Sequence, residues 1–220
     1  MVSSPITWLG GWPADGPSPR PNVEILKLSA DLDALPVTLE EVKENLRVDS
    51  SDEDETILGL ISGMTDFFEA RTGWRLSPAT YRAEVTGCIP CKLAIERGPL
   101  RTLDSISCWN SDTHQWDEIA VANYTPEQRG REFDIYFEDD AFSGFTVSNR
   151  PLRIDFSAGF DSPMGGGTSA NGLPEPGMIA SLKAVIATAY QTKEAGAGAG
   201  TWVGEDPSKD YLFRTYRKFW

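Results

Sequence analysis

The 220-residue sequence predicts an α+β fold, in which a small bundle of helices is interrupted by an antiparallel β insertion. Three observations predict it. Two capped helix patterns lie side by side in residues 38–74, short alternating runs fill residues 79–158, and a third helix pattern opens at residue 174. The β-rich segment therefore falls between the second and third helices of the bundle.

Residues 1–36 are predicted to form an extended arm. Prolines recur among glycines and serines up to residue 22, and because proline fixes φ and has no amide donor, neither a helix nor a central strand can form there. Trp8, Leu9 and Trp12 are the large apolar side chains of this part, and indoles are costly to leave in water. We expect these three residues to anchor the arm on the body or on a neighbouring subunit. Residues 23–35 could add a short strand followed by a turn.

The first helix begins at a capping box. Thr38 is followed three residues later by Glu41, so each side chain can satisfy the other residue's free backbone amide. The predicted helix ends near Val48. Its apolar residues recur at intervals of three and four and share one face: Leu39, Val42 and Leu46.

The second helix opens in the acidic run 51–55, where carboxylates meet the positive end of the helix dipole and Ser51 or Asp52 can cap the free amides. Gly73 is placed to adopt the left-handed conformation that ends a helix. The residues of the buried stripe are Ile57, Leu60, Ile61, Met64, Phe67 and Phe68. Asp49, Asp52 and Asp54 could alternatively bind calcium, but the glycine and final glutamate of an EF-hand loop are missing. The sequence favours a charged helix start on a solvated face.

After Gly73 the apolar period changes from 3.6 to 2. Six or seven short strands separated by Gly, Pro, Asn and Asp indicate an antiparallel meander or small barrel. A hairpin tip is expected at Ser111–Thr113, between Trp109 and Trp116. The predicted strands are 81–85, 92–95, 105–109, 115–119, 133–137, 145–147 and 152–156.

Residues 159–173 are predicted to be a flexible connector, because three glycines stand at the centre of a Gly- and Ser-rich stretch. The third helix then opens at Pro174–Pro176, with Glu175 near the positive end of its dipole. Alternating Ala and Gly in residues 195–200 predict a hinge after it. The expected buried face of this helix is Ile179, Leu182, Val185, Ile186, Ala189 and Tyr190.

The last segment, residues 207–220, is basic and aromatic, in contrast to the acidic body. Arginine and aromatic side chains are enriched at the centres of interfaces, so we predict a docking tail. The alternative is a tail that folds back on the acidic body. The predicted docking residues are Tyr211, Leu212, Arg214, Tyr216, Arg217, Lys218, Phe219 and Trp220.

Charge and composition exclude some classes of function. A net charge of -13 argues against a nucleic-acid-binding body, for which a basic face is the usual feature. There is no run of eighteen apolar residues and the N-terminus does not have the pattern of a signal peptide, so we expect a protein that is made and stays in the cytoplasm, away from membranes.

The sequence offers no recognisable catalytic chemistry. Its single histidine, His114, cannot complete a Ser-His-Asp order, and HExxH and P-loop motifs are absent, so we expect no enzyme and no cofactor. Cys88, Cys91 and Cys108 could form a Cys3His zinc site with His114. We favour the interpretation that the cysteines are small apolar residues on strands, and predict no metal.

Five stretches, in their order along the chain, resemble the head-tail connector (adaptor or head-completion) proteins of tailed phages and gene transfer agents. The resemblance covers about residues 37–220 and ends with the pair Tyr216-Arg217. The other four stretches are VTLEEVKENLRVDSSDEDETILGLISGMTDFFEARTGWRL, PLRTLDSISCW, LRIDFSAGF and LPEPGMIASLKAVIATAY.

The resemblance implies a helical connector core made of residues 37–78 and 174–220, with residues 79–158 as the β insertion. It further implies a homo-oligomeric ring, commonly of twelve copies, under the portal protein at the head-tail junction of the particle. The C-terminal tail would dock on the portal, and the ring would present a platform for the stopper or tail-completion protein. DNA would pass through without being specifically bound, since an acidic wall repels the duplex.

A binding module of another class is the alternative prediction. The β-rich region would then recognise a glycan or receptor as part of a phage tail. Aromatic residues on strands are more often core or cross-strand pairs. The residues that could stack on a sugar are Trp109, Trp116, Tyr124, Phe133, Tyr136 and Phe137.

Overall fold

The computed structural model describes residues 21–30, 34–87, 91–143, 152–164, 168–194 and 216. Within these ranges the chain forms three α-helices: α1 (Leu39–Leu46), α2 (Asp54–Thr72) and α3 (Pro176–Glu194). The strands in the same ranges are β1 (Asn22–Ala30), β2 (Ala79–Thr86), β3 (Lys92–Ile95), β4 (Leu100–Asn110), β5 (Gln115–Glu118), β6 (Tyr124–Arg129), β7 (Glu132–Phe137) and β8 (Leu152–Ala158). The mixture of helices and antiparallel sheets is as predicted.

The strands form two antiparallel sheets. A five-stranded sheet has the order β1-β2-β8-β4-β5, and a three-stranded sheet has the order β3-β7-β6. The pairing is antiparallel as expected, but the order is not a meander, because β8 lies between β2 and β4. The predicted strand at 145–147 lies outside the described residues.

Side chains from both sheets form one hydrophobic core. Alternate residues of β2 and β8 are buried, which is the period-two pattern of strands with one face inward. Phe133 of β7 packs edge-to-face on Phe156 of β8, with ring centroids 5.1 Å apart. This contact joins the two sheets across the core.

The three helices share a second hydrophobic core. Thr38 caps α1 as predicted, and its hydroxyl accepts a hydrogen bond from the Glu41 amide at 3.2 Å. Gly73 ends α2 with φ of 78°, also as predicted. The predicted buried faces of α2 and α3 lie in this core. Its fully buried members are Val37, Val42, Ile57, Ile61, Met64, Phe68, Leu76, Phe160, Met178, Leu182, Val185, Ile186 and Tyr190.

The predicted cap of α2 is wrong. Neither Ser51 nor Asp52 caps the helix, which starts after Glu53 without a side-chain cap. Tertiary contacts use the acidic groups here instead: the Glu53 carboxylate accepts a hydrogen bond from the Tyr190 hydroxyl, and Asp54 pairs with Lys43 at 2.6 Å. These contacts tie the start of α2 to α3 and to α1.

A buried carboxylate fixes the link from α2 to β2. Glu69, near the end of α2, is 2% exposed and accepts hydrogen bonds from the Arg75 guanidinium at 2.5 Å and from the amides of Leu76 at 2.8 Å and Ser77 at 3.2 Å. Arg75 also lies over the ring of Tyr81, 5.6 Å from its centroid. Burial raises the pKa of Tyr81 to about 12, because the charged phenolate would lose its hydration. The link is therefore a buried polar cluster centred on Glu69 and Arg75, between the two cores.

A second buried carboxylate fixes the link from β8 to α3. Asp161 pairs with Arg101 at 2.6 Å and accepts two hydrogen bonds from the Ser169 amide, both at 2.9 Å, and one from the Ser169 hydroxyl at 2.8 Å. Asn171 donates to the carbonyls of Leu100 and Gly159. The described parts of the predicted flexible connector, residues 159–173, are thus held on the body by side chains that its Gly- and Ser-rich composition does not reveal.

Candidate functional site

The predicted docking tail contributes one described residue, Tyr216. Its half-buried ring packs on Phe68 of α2, with ring centroids 6.3 Å apart, and belongs to the edge of the helical core. The other predicted docking residues lie outside the described residues: Tyr211, Leu212, Arg214, Arg217, Lys218, Phe219 and Trp220.

Gly177 makes room for the Tyr216 hydroxyl. A Cβ atom built on Gly177 would collide with that hydroxyl, so the first turn of α3 accepts the tyrosine because it has no side chain there. Phe68 and Gly177 together form what we call the tyrosine seat. Sequence reasoning missed both roles, and the one available signal was an exposed glycine inside a helix, where alanine is about 1 kcal/mol better.

The tyrosine seat lies at one end of the helical layer. It joins the last turns of α2 to the first turn of α3, whereas the contact between Glu53 and Tyr190 joins the opposite ends of the same two helices. The two helices are therefore antiparallel. Tyr216 therefore lies at the end of the layer from which the chain continues into β2.

The predicted arm anchors, Trp8, Leu9 and Trp12, lie outside the described residues. The arm leads into β1, which pairs with β2 and occupies the edge of the five-stranded sheet. This confirms that residues 23–35 include a strand. Leu26 and Leu28 of β1 are 44% and 49% exposed, so this edge presents apolar side chains to its surroundings.

Carboxylates dominate the surface at the α1–α2 corner. Residues 40–55 contain eight acidic and two basic side chains, and Lys43 is already paired with Asp54. Six of the acidic side chains are exposed: Glu40, Glu41, Glu44, Asp49, Asp52 and Glu55. This corner repels phosphate and attracts basic partners.

The outer face of the five-stranded sheet carries the two tryptophans considered for sugar stacking. Trp109 and Trp116 are directly paired across β4 and β5, with ring centroids 5.5 Å apart in an edge-to-face arrangement. The Arg153 guanidinium lies 4.1 Å from the centroid of Trp116 and also bonds Glu84 at 3.1 Å. One face of Trp116 is therefore already covered by a cation, which leaves no flat paired platform for a sugar ring.

The residues considered for zinc are not brought together. Cys108 is buried in the β core, Cys91 is exposed before β3, and His114 lies at the tip of the β4–β5 hairpin with φ of 55°. Cys88 lies outside the described residues. Among those that the structure describes, no group of three or more His, Cys, Asp or Glu side chains is arranged to hold a metal ion.

The chain resembles known proteins both in sequence and in fold. Residues 36–98 match the family model of the phage gp6-like head-tail connector protein. The fold resembles a chain from the neck of an empty GTA particle, computed with C6 symmetry, with a TM-score of 0.64 and 18% identity over 89% of this chain and 96% of that chain. These matches support a head-tail connector protein. No curated protein is significantly similar in sequence.

Two further solved structures agree with this connector fold. A chain from the virion of a native gene transfer agent particle matches with a TM-score of 0.63 and 17% identity over 89% of this chain and 95% of that chain. A chain from the neck of a native GTA particle, computed with C12 symmetry, matches with a TM-score of 0.61 and 18% identity over 89% and 96%. At this identity the likeness concerns the fold, and it covers more of the chain than residues 36–98, which the family model matches.

The sequence match falls on α1, α2, β2 and β3, the part of the chain that contains the capping box at Thr38 and the helix stop at Gly73. No helix in the described part of the chain is long and apolar enough to span a membrane.

Proposed function

We propose that this connector is a structural component at the head-tail junction of a phage or of a phage-like gene transfer agent particle. The main support for the proposal is the similarity in fold to a chain from the neck of a GTA particle. The structural match covers 89% of this chain and 96% of the neck chain. A partial match would fit many helical modules with an inserted sheet. A match over nearly the full length of both chains argues for the same kind of part.

We propose that the connector acts as a ring, of twelve copies, under the portal. The neck structures it resembles were computed with C6 and C12 symmetry, which fits a ring of six or twelve subunits. The ring would link the DNA-filled head to the stopper or tail-completion protein on its other side.

We propose that the tail docks on the portal through its basic and aromatic residues. The tyrosine seat supports this role, since Tyr216 fixes the tail at a defined end of the helical layer. A tether of this kind lowers the entropy that the neighbouring docking side chains lose on binding. Arg217, Lys218, Phe219 and Trp220 follow the anchor directly, so they are the residues we expect to reach the portal.

DNA would pass through the ring without specific binding. The net charge of -13 and the exposed carboxylates of the α1–α2 corner support a wall that does not retain the duplex, because retention requires lysine and arginine on the phosphates. The role is structural: the matches are to a virion connector, a class that is not normally enzymatic.

The test is portal binding by the full chain. The triple variant Arg214→Ala, Arg217→Ala, Lys218→Ala should bind purified portal at least roughly tenfold more weakly, since arginine is enriched among the few interface residues that dominate binding, and a loss of about 1.4 kcal/mol in total is tenfold. Lys27→Ala is the matched control, because it removes an exposed cation whose pairing with Asp66 at 3.4 Å is worth little. Titration calorimetry or native mass spectrometry would measure both.

Two results would contradict the proposal at different levels. Full-strength binding by the triple variant would refute the tail as the docking element and leave the connector role standing. Absence of the labelled chain from the necks of purified particles, seen by electron microscopy, would refute the connector role itself.

A further inference from the structure

An apolar groove lies between the N-terminal ends of α1 and α3. Its volume is about 360 Å³, and it is lined by Pro36 before α1, Pro163 in the link after β8, and Pro174 and Pro176 at the start of α3. Leu173 completes one wall and is 61% exposed. An apolar surface of this kind is unfavourable in water and is a common feature of docking sites.

The chemistry of the groove fits an indole ring. Proline rings and aliphatic side chains present flat C–H surfaces, which pack against the electron-rich face of an aromatic ring. Glu41 and Lys183 line the groove and pair with each other at 3.2 Å, so neither charge calls for a charged ligand. The Glu41 carboxylate can accept the hydrogen bond that an indole N–H requires when it is buried. A phenylalanine would leave that acceptor unused.

We infer that this groove binds Trp12 from the arm of a second copy of the connector. Trp12 is the tryptophan of the arm nearest to β1, and 20 residues of the arm precede the first described residue, Pro21. The inference rests on the proposed ring, which would bring identical neighbours side by side, and it assigns the arm the role of linking them.

The direction of β1 argues for a second copy as the source of the indole. Asn22 pairs with Thr86 at one end of β1, and Ala30 pairs with Ala79 at the other. Ala79 also pairs with Ala158 of β8, and Pro163 of the groove follows Ala158 by five residues, so the groove lies nearer the second end, whereas the arm precedes the first. Nine residues of strand separate the two ends by about 27 Å.

The reach of the arm is short for a return to its own groove. Trp12 precedes Asn22 by ten residues, which span at most about 33–36 Å when fully extended. That length must cover the whole of β1 in reverse and the further distance to Pro36. Four prolines between Trp12 and Asn22 also stiffen the segment against a tight reversal. A groove on a neighbouring copy carries neither restriction.

The experiment uses the full chain labelled with 5-fluorotryptophan, in which Trp8→Phe and Trp12→Phe identify the arm resonances among those of seven tryptophans. On raising the concentration from about 5 to about 500 µM, the Trp12 resonance should shift and broaden. Ala180→Glu places a carboxylate at an exposed position of the groove and should weaken the association at least roughly tenfold. Ala70→Glu, at an exposed position of α2 outside the groove, is the matched control and should behave as wild type.

Mixing two variants separates a second copy from the same copy. Labelled Ala180→Glu chain keeps its arm but has a blocked groove, and unlabelled Trp8→Ala, Trp12→Ala chain keeps an open groove. We expect the arm resonance of the first to shift when the second is added. An arm resonance that is sensitive to Ala180→Glu but independent of concentration and of mixing would overturn the inference in favour of the chain's own groove. Arm resonances that are unchanged by Ala180→Glu, or that do not change with protein concentration, would also overturn the inference. None of these results depends on the portal, so they leave the proposed function to its own test.

Discussion

Replacing Glu69 by alanine should be among the most destabilising changes in the helical layer. The substitution removes the partner of Arg75, which is 9% exposed, and the acceptor of two backbone amides, those of Leu76 and Ser77. Breaking a buried ion pair from one side costs about 3–5 kcal/mol, because the remaining charge stays buried without compensation. Each buried amide left without a partner adds about 1–3 kcal/mol, less whatever water recovers.

The ion-pair term alone is large against a typical total of about 5–15 kcal/mol for a domain, so we expect a loss of at least about 4 kcal/mol and a transition at much lower denaturant. Urea unfolding followed by circular dichroism measures it. Glu55→Ala is the control, since Glu55 is exposed on the same helix and should change the free energy of unfolding by less than about 0.5 kcal/mol. A cost below about 1 kcal/mol for Glu69→Ala would show that the network around Glu69 does not hold the link to β2.

Two smaller effects follow from the other anchors. Tyr216→Ala should lower the free energy of unfolding by about 1 kcal/mol, because Phe68 loses its contact with a half-buried ring. The substitution should also raise the rate of amide hydrogen exchange at Gly177. An unchanged exchange rate would refute the tyrosine seat. Burial raises the pKa of Asp161, but the hydrogen bonds from Ser169 and Arg101 outweigh it and hold the pKa below the ordinary 3.8. The stabilisation that the Asp161 carboxylate gives the fold is therefore complete above about pH 5, and it is lost as the pH falls through the folded-state pKa. Asp161→Asn should reduce the dependence of the free energy of unfolding on pH below about pH 5. An unchanged pH dependence would refute the role of Asp161.

The sequence predicted the elements that local signals determine. Thr38 and Gly73 act within a few residues of their own helix ends, and each was found where the capping pattern placed it. The apolar residues of α2 and α3 recur on one face over several turns, so the buried face of each helix could be predicted without knowing which element it packs against. The β4–β5 hairpin was predictable for the same reason, since its two strands are joined by a short turn.

The sequence could not predict what depends on residues far apart in the chain. Arg101 and Asp161 are 60 positions apart, and nothing in the composition of residues 159–173 indicates that a buried carboxylate holds them. The same holds for the place of β8 between β2 and β4. The strand β6 was missed because most of its side chains are exposed and polar, with Pro126 in its middle, so it shows no alternation. The predicted cap of α2 is wrong because Ser51 and Asp52 lie in the turn before the helix, which starts only after Glu53.

Two of the three links between the sheets and the helices run side by side, namely the link from α2 to β2 and the link from β8 to α3. The Phe160 amide in the second link donates to the Arg75 carbonyl in the first at 3.1 Å, and the ring of Phe160 stacks on Trp74 at 5.7 Å. Gly159 has φ of 125° and lies so close to the Ser77 carbonyl that a Cβ atom would collide with it. Each link is also closed by its own buried carboxylate.

Because the chain enters β2 and leaves β8 at one tightly bonded place, these two links do not form a single hinge about which the β layer could rotate. A rotation would have to break the bonds of Glu69 and Asp161 together. A partner that holds the sheets therefore also fixes the helices. The tyrosine seat and the apolar groove between α1 and α3 both lie on the helices. In a ring, this is the arrangement that would let contacts made on one layer set the position of the docking elements on the other.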